Sequence, residues 1–213
     1  MIPDRQILEE ARNRIHPFIH QTPVLTCESI DNMAGAKLYF KCENFQKMGA
    51  FKMRGAANVV LQLTAKEKSK GVTTHSSGNF AQAVALSGKL TGVKATIVMP
   101  SNAPIVKKKA VLGYGAKIIE CEPTLEAREA TALQVVKDTG AKLLHPYNCY
   151  KVIAGNSSAA QELVEQVNSL DTIVAPVGGG GLISGTALAA NYFSNCTTYG
   201  AEPEGADDAF RSF

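Results

Sequence analysis

The chain has 213 residues, of which 45% are hydrophobic and 19% are charged, and its formal net charge is +3. This composition is typical of a globular protein and excludes disordered and fibrous chains. The sequence has neither an apolar run of about twenty residues nor a signal peptide, so we expect no membrane association and a cytoplasmic location.

The charges are unevenly distributed along the chain. Residues 1–150 carry a balance of +8, whereas residues 151–213 carry −5. A basic body of this kind attracts phosphate or carboxylate ligands, or it consists simply of solvated helix faces. The basic residues form no arginine-rich or aromatic-interleaved stripe, so we expect no nucleic-acid partner. The five cysteines include no C-x-x-C pair, which favours reduced thiols over disulfides or a zinc site.

Short β-branched runs alternate with longer amphipathic runs, which predicts an α/β fold with mainly parallel strands. Because the chain stops soon after the last predicted strand, we expect the C-terminal part of a domain to be missing. The three lysines 107–109 are predicted to form one exposed helix face. Helices are predicted over 4–14, 51–63, 80–90, 105–112, 125–138, 153–167 and 182–193, and strands over 37–41, 72–75, 95–99, 117–121, 142–145, 172–177 and 197–201.

Four consecutive glycines, Gly178, Gly179, Gly180 and Gly181, lie between the strand 172–177 and the helix 182–193. Their backbone amides and the positive end of the helix can together bind a phosphate. The spacing matches neither G-x-G-x-x-G nor G-K-[ST], which argues against a dinucleotide or nucleotide site. The alternative is a tight strand-to-helix turn without a ligand.

A second turn, Ser76-Ser77-Gly78-Asn79, follows the strand 72–75. Its polar side chains either cap the next helix or bind a ligand. Because both turns follow strands of an α/β fold, they indicate one crevice that takes a phosphate and a second polar or anionic group.

Lys52 begins a helical pattern in which most neighbours are small or apolar. A desolvated lysine loses its ammonium form easily, and the neutral amine is a nucleophile toward aldehydes. The alternative is a surface lysine whose aliphatic stem lies beside Arg54.

These segments are similar to the three signature motifs of the fold-type-II pyridoxal-phosphate (PLP) enzymes, in the branch of serine racemases and serine/threonine dehydratases. The motifs are Gly49-Ala-Phe-Lys-Met-Arg-Gly-Ala56, Ser76-Ser-Gly-Asn79 and Gly178-Gly-Gly-Gly-Leu182. The resemblance implies the fold of tryptophan synthase β: two open, mainly parallel, twisted sheets with flanking helices. It also implies a homodimer, with a large domain in residues 1–49 and 148–213 and a small domain in residues 50–147.

The resemblance implies a role for each motif. Lys52 forms a Schiff base with PLP, Phe51 packs beside the cofactor ring, and Asn79 contacts its 3′-oxygen. The four glycines hold the phosphate. The substrate carboxylate binds to the turn made of Ser76, Ser77, Gly78 and Asn79.

The implied reaction acts on small β-hydroxy amino acids such as L-serine and L-threonine. Lys52 removes the α proton. Loss of the β-hydroxyl from the carbanion then gives an aminoacrylate, which is released and hydrolysed to a 2-oxo acid and ammonia. Return of a proton on the opposite face gives racemisation instead. Ser77 resembles the second acid of serine racemases, although a role limited to carboxylate binding stays open. Two alternatives stay open. The same motifs are compatible with a truncated, non-catalytic chain of this fold, and the glycine loop is compatible with an α/β protein that binds a nucleotide phosphate.

The acidic segment 202–208 resembles the divalent-cation site of serine racemases. Mg²⁺ or Ca²⁺ would be bound by the carboxylates of Glu202 and Asp208 and the carbonyl of Ala206. The alternative is a solvated acidic loop.

Two positions depart from the family pattern. Phe80 replaces a usual histidine, and Gly155-Asn156-Ser157 replaces a usual Gly-Gln-Gly.

Overall fold

The computed structural model describes residues 2–212, and within them it has ten α-helices and eight β-strands. Helices and strands alternate along most of the chain, as the sequence predicts. In chain order the elements are α1 Arg5–Ile15, β1 Val24–Leu25, α2 Glu28–Ala34, β2 Phe40–Lys41, α3 Lys52–Leu61, α4 Ala65–Lys70, β3 Val72–His75, α5 Asn79–Thr91, β4 Ala95–Pro100, α6 Ile105–Gly113, β5 Lys117–Cys121, α7 Leu125–Thr139, β6 Lys142–Leu143, α8 Tyr150–Asn156, α9 Ser158–Gln166, β7 Thr172–Pro176, α10 Gly181–Phe193 and β8 Thr197–Ala201.

The largest sheet is parallel throughout and has the strand order β5-β4-β3-β6. In its centre Val72 of β3 lies opposite Ala95 on one side and Lys142 on the other. Strands β7 and β8 form a second parallel pair, and β1 and β2 form an antiparallel pair. This confirms the predicted α/β class with mainly parallel strands.

The main hydrophobic core lies between the large sheet and the helices that cover it. It includes Val60 of α3, Val84 of α5 and Ile97 of β4, each of which is inaccessible to solvent. Phe80, which replaces the usual histidine, is buried in this core. Packing in this core therefore explains why the chain has a phenylalanine at position 80.

The N-terminal helix packs against elements from the other end of the chain. Leu8 and Ala11 of α1 form a cluster with Ala154 of α8, and Leu188 of α10 packs against that cluster. The carboxylate of Asp4 accepts a hydrogen bond from the Ile7 amide at 2.9 Å, which caps α1. Residues far apart in sequence thus form one packed cluster.

The predicted helix 153–167 is wrong in one respect, because the structure has two helices that meet at Ser157. The hydroxyls of Ser157 and Ser158 donate to the carbonyls of Ala154 and Gly155, both at 2.7 Å. Hydroxyl groups that bind carbonyls three residues earlier compete with the helical pattern and bend the chain.

Some short elements differ from the prediction. The predicted strand 37–41 is reduced to Phe40–Lys41, and the structure adds β1, α2 and α4, which the sequence pattern does not predict. Helix α4 is only six residues long and depends on a reciprocal cap between Thr64 and Glu67 rather than on a hydrophobic face. Within residues 2–212, no helix combines the length and the apolar character needed to cross a bilayer.

Candidate active site

Lys52 is the first residue of α3 and is half-buried. Burial lowers the pKa of its ammonium group. Its Nζ lies 4.8 Å from the centroid of the Phe51 ring, and no carboxylate within residues 2–212 pairs with it. The lowered pKa and the lack of a carboxylate partner among the described residues both favour a lysine that readily becomes a neutral amine over a lysine that is merely solvated.

The start of α3 is held in place by Arg54, whose side chain is fully buried. Its guanidinium donates to Glu43 at 2.7 and 2.8 Å and to Glu162 at 2.7 and 2.9 Å. Burial disfavours the charged form, but these hydrogen bonds outweigh it and raise the pKa of Arg54. Lys41 also donates to Glu162, at 2.6 Å. Two cations and two carboxylates therefore join the start of α3 to the segment 41–43 and to α9.

Helix α8 connects the start of α3 to the glycine loop, which we define as residues 178–181. A Cβ added to Gly155 would lie 2.5 Å from the carbonyl oxygen of Arg54, so α8 approaches α3 at backbone contact. The next residue, Asn156, donates through its Nδ2 to the carbonyl of Gly181 at 3.2 Å. The structure therefore brings the Lys52 segment and the glycine loop together through two consecutive residues of α8.

The glycine loop is shaped partly by its own backbone and partly by a neighbour. Gly180 has a φ of 82°, which a residue with a side chain rarely adopts. A Cβ on Gly179 would lie 2.3 Å from the Tyr147 ring. A Cβ on Gly178 would meet no atom within 4 Å, so Gly178 is required neither by a neighbour nor by a positive φ.

The glycine loop presents amide donors to solvent. Within residues 2–212, the amides of Gly178, Gly179 and Gly180 donate no hydrogen bond, and Gly181 begins the first turn of α10. Unpaired amides at the start of a helix of thirteen residues form a donor set for an anion. The open space at Gly178 therefore fits a ligand phosphate better than it fits a purely structural turn.

The turn 76–79 lies at the C-terminal end of β3. The amide of Ser76 donates to Val98 at 3.1 Å, and the Ser76 hydroxyl accepts from the Gly78 amide at 3.3 Å. Helix α5 begins at Asn79 without a side-chain cap, and the Asn79 side chain is exposed. Capping of α5 by these side chains, the alternative to ligand binding, is therefore wrong.

Two histidines and a tyrosine, which the motifs did not identify, connect this turn to the glycine loop. The rings of His75 and His145 are 6.4 Å apart, and the rings of His145 and Tyr147 are 4.5 Å apart. Burial lowers the pKa of both histidines. The His145 Nδ1 accepts hydrogen bonds from the amides of Tyr147 and Asn148, so this ring is held in its neutral form. The only sequence signal is that each histidine is the last residue of a predicted strand, 72–75 or 142–145.

A cavity of about 1060 Å³ opens beside the glycine loop. Its lining includes Tyr147, Gly178 and the acidic residues Glu202 and Asp208, but it does not include Lys52. The volume therefore does not outline the whole site. The assignment of the candidate active site rests instead on the chemistry of Lys52 and of the unpaired amides in the glycine loop.

The predicted cation site has one carboxylate that is already engaged. Glu202 accepts from the amides of Ala209 and Phe210 at 3.2 and 3.0 Å, one on each oxygen. Between residues 2 and 212, no group of three or more histidine, cysteine, aspartate or glutamate side chains could hold a metal ion. The predicted ligands are two carboxylates and the Ala206 carbonyl, which are too few for Mg²⁺ or Ca²⁺, so water would have to complete the coordination.

Comparison with known proteins identifies a family match and close relatives. The family model described as "Pyridoxal-phosphate dependent enzyme" matches residues 15–213. The chain is 51% identical to a serine racemase of Dictyostelium discoideum over 96% of this chain and 64% of that protein. It is 49% identical to a β-hydroxyaspartate dehydratase of Paracoccus denitrificans over 100% of this chain and 68% of that protein.

The fold matches solved structures equally well. The structure of maize serine racemase superposes with a TM-score of 0.98 at 49% identity, covering 100% of this chain and 65% of that one. The chain therefore spans about two thirds of the length of the proteins that it matches.

Proposed function

The chain belongs to the pyridoxal-phosphate dependent enzyme family, and we propose that it dehydrates or racemises small β-hydroxy amino acids. Serine and threonine are the proposed substrates implied by the motifs. A hydroxyaspartate falls in the same chemical class, since one relative is named for the dehydration of that compound.

The observation that carries this proposal is Lys52, a half-buried lysine without an acidic partner within residues 2–212, whose pKa is lowered by burial. The neutral amine that burial favours is the form that reacts with an aldehyde. Its place at the start of α3, beside the Phe51 ring, leaves an aromatic surface next to the amine.

The residues present fit PLP by the chemistry of their donors. We propose that Gly178, Gly179, Gly180 and Gly181 hold its phosphate, because the loop presents unpaired amides and an added Cβ at Gly178 would enter open space. Phe51 would pack beside the ring, and the exposed amide side chain of Asn79 would donate to its 3′-oxygen.

The substrate carboxylate is assigned to the turn 76–79. Helix α5 has thirteen residues and no side-chain cap, so its first amides and the helix dipole favour an anion there. The hydroxyls of Ser76 and Ser77 add donors, and Gly78 allows the ligand to approach the backbone closely. A carboxylate bound there orients the α carbon of the substrate toward the amine.

PLP, when bound, supplies an electron-accepting ring that stabilises negative charge at the α carbon. The chain's own residues move the protons. Lys52 takes the proton from the α carbon on one face. Ser77 holds a proton for the opposite face, and its transfer to the α carbon inverts the amino acid. When the β-hydroxyl instead takes up a proton and leaves as water before that transfer, the released enamine is hydrolysed by water to a 2-oxo acid and ammonia.

Further parts of the proposal follow the resemblance. The large domain comprises residues 1–49 and 148–213, and the small domain comprises residues 50–147. The chain acts as a cytoplasmic homodimer.

The proposed cation site binds Mg²⁺ or Ca²⁺ through Glu202, Asp208 and the carbonyl of Ala206, with water as further ligands. The cation is tested by thermal melting: either ion raises Tm for the original chain and for Glu204→Gln, but not for Asp208→Asn. Equal shifts in all three proteins would refute this site.

The proposed function is tested with PLP supplied to the 213-residue chain. Borohydride reduction followed by peptide mapping is expected to find the cofactor attached to Lys52, and Lys52→Ala is expected to abolish the visible absorbance of bound PLP. Lys47→Ala is the matched control and retains both signals. L-Serine is then assayed for pyruvate and D-serine, and Ser77→Ala is expected to lose D-serine while retaining pyruvate. Attachment elsewhere, or no bound cofactor, would refute the proposal.

A further inference from the structure

The three lysines 107–109 do not share one environment, contrary to the prediction of a single exposed face. Lys108 donates to Glu120 at 2.6 Å and to the carbonyl of Ser101 at 2.8 Å. Lys109 is exposed. Lys107 is half-buried, and it makes no ion pair or hydrogen bond with any of the residues that the structure describes.

The Lys107 ammonium lies against the turn 76–79. A Cβ added to Gly78 would be 3.6 Å from its Nζ. The two parts are brought together by the sheet, because β3 leads into the turn, the adjacent parallel strand β4 leads into α6, and Lys107 lies in the first turn of α6. A cation without an acidic partner among the described residues therefore stands next to the proposed carboxylate-binding turn.

The turn already has donors for one carboxylate. These are the uncapped amides at the start of α5 and the hydroxyls of the two serines. An amino acid with a single carboxylate leaves Lys107 without a counter-charge, whereas an amino acid with two carboxylates supplies one. Since the described part of this chain offers Lys107 no acidic side chain, the ligand is the natural source of that charge.

We propose that Lys107 binds the second carboxylate of a dicarboxylic substrate, so that the site prefers 3-hydroxyaspartate to serine. This inference rests on the proposed function and deepens it, since it names a residue that determines substrate specificity. No covalent step involves Lys107. It holds the side-chain carboxylate while the α-carboxylate occupies the turn.

The binding test uses PLP-supplied chain and two acids of equal length, succinate and butyrate, in isothermal titration calorimetry. The original chain is expected to bind succinate about tenfold more tightly than butyrate. Lys107→Met is expected to abolish this preference. Lys109→Met, which removes the same charge from the same helix, is expected to retain it. A preference that survives Lys107→Met, or that is absent from the original chain, would overturn the inference.

The kinetic test compares kcat/KM for L-threo-3-hydroxyaspartate and for L-serine. Lys107→Met is expected to lower kcat/KM for hydroxyaspartate about tenfold and to change kcat/KM for serine less than about twofold. Equal losses for both substrates would place Lys107 at the α-carboxylate and refute the inference. If no variant turns over either substrate while the succinate preference depends on Lys107, the proposed function fails and the specificity site stands.

Discussion

The Tyr147 ring packs directly over Gly179, since a Cβ added to Gly179 would lie 2.3 Å from its Cδ1 and 2.4 Å from its Cγ. Neither atom can be that close to a real methyl group, so the ring or the loop must move in Gly179→Ala. We expect this variant to lose about 1–3 kcal/mol of unfolding free energy and to bind PLP more weakly. Urea denaturation and a PLP titration measure the two effects.

The neighbouring glycine and the tyrosine provide controls. Gly178→Ala enters open space, so its unfolding free energy is expected to stay within about 0.5 kcal/mol of the original. Tyr147→Ala removes the ring that the new methyl group meets. In a double-mutant cycle, Gly179→Ala is therefore expected to cost less in the Tyr147→Ala background. An unchanged cost would show that the Tyr147 contact is not the reason for glycine at position 179.

Arg54 is expected to be the charged residue whose loss destabilises the protein most. Each of Glu43 and Glu162 accepts two hydrogen bonds from the Arg54 side chain, and Arg54→Met removes all four. Among the described residues, Glu162 then keeps a hydrogen bond from Lys41, whereas Glu43 has no cation left within ion-pair distance. Breaking a buried ion pair by removing one partner costs about 3–5 kcal/mol. Chemical denaturation measures the loss.

Arg5→Met is the matched control for Arg54→Met. Arg5 pairs with Glu9 at 3.0 Å on the surface of α1, where both side chains are largely exposed. An exposed pair of this spacing contributes about 0.3–0.5 kcal/mol. Similar losses in the two variants would contradict the view that the buried network positions α3.

The local parts of the site could be predicted from the sequence, and the long-range parts could not. Lys52, the turn 76–79 and the glycine loop are each encoded within a few consecutive residues. The sequence pattern gives no sign that Arg54 is buried, because its carboxylate partner Glu162 is 108 residues away. The contact between Tyr147 and Gly179 depends on tertiary packing in the same way.

The short elements escaped prediction for a related reason. Strand β1 has only two residues, so it does not contain enough alternation to be recognised. The break at Ser157 follows from two hydroxyl-to-carbonyl bonds that a hydrophobic pattern does not contain. In both cases the deciding interaction is a hydrogen bond rather than a periodic apolar face.

His145 is expected to make the folded state sensitive to acid. Burial lowers its pKa below the ordinary 6.5, and its Nδ1 accepts two backbone hydrogen bonds that protonation would break. Below pH 6.5 the unfolded chain therefore binds more protons at this residue, so stability decreases as the pH falls. Unfolding free energy measured between about pH 7.5 and pH 5 is expected to fall less steeply in His145→Gln. An identical slope in both proteins would exclude His145 as a contributor.

Lys52 is expected to react as an amine at a lower pH than an ordinary lysine. Burial lowers its pKa from 10.5, so a larger fraction of the side chain is neutral at any pH below that value. In the window between the lowered pKa and 10.5, the unfolded chain binds more protons at Lys52, and stability falls as the pH decreases through it.

Competitive acetylation of the cofactor-free chain over a pH series, analysed by mass spectrometry, gives the midpoint of the Lys52 peptide. A midpoint below 10.5 is expected. Lys52→Ala, which removes the acetylated amine, identifies the peptide signal. Supplying PLP is expected to protect Lys52 from acetylation, because the same amine would be engaged by the cofactor. A midpoint at or above 10.5 would show that burial does not prepare this lysine for reaction, and unchanged labelling with PLP would separate it from the cofactor site.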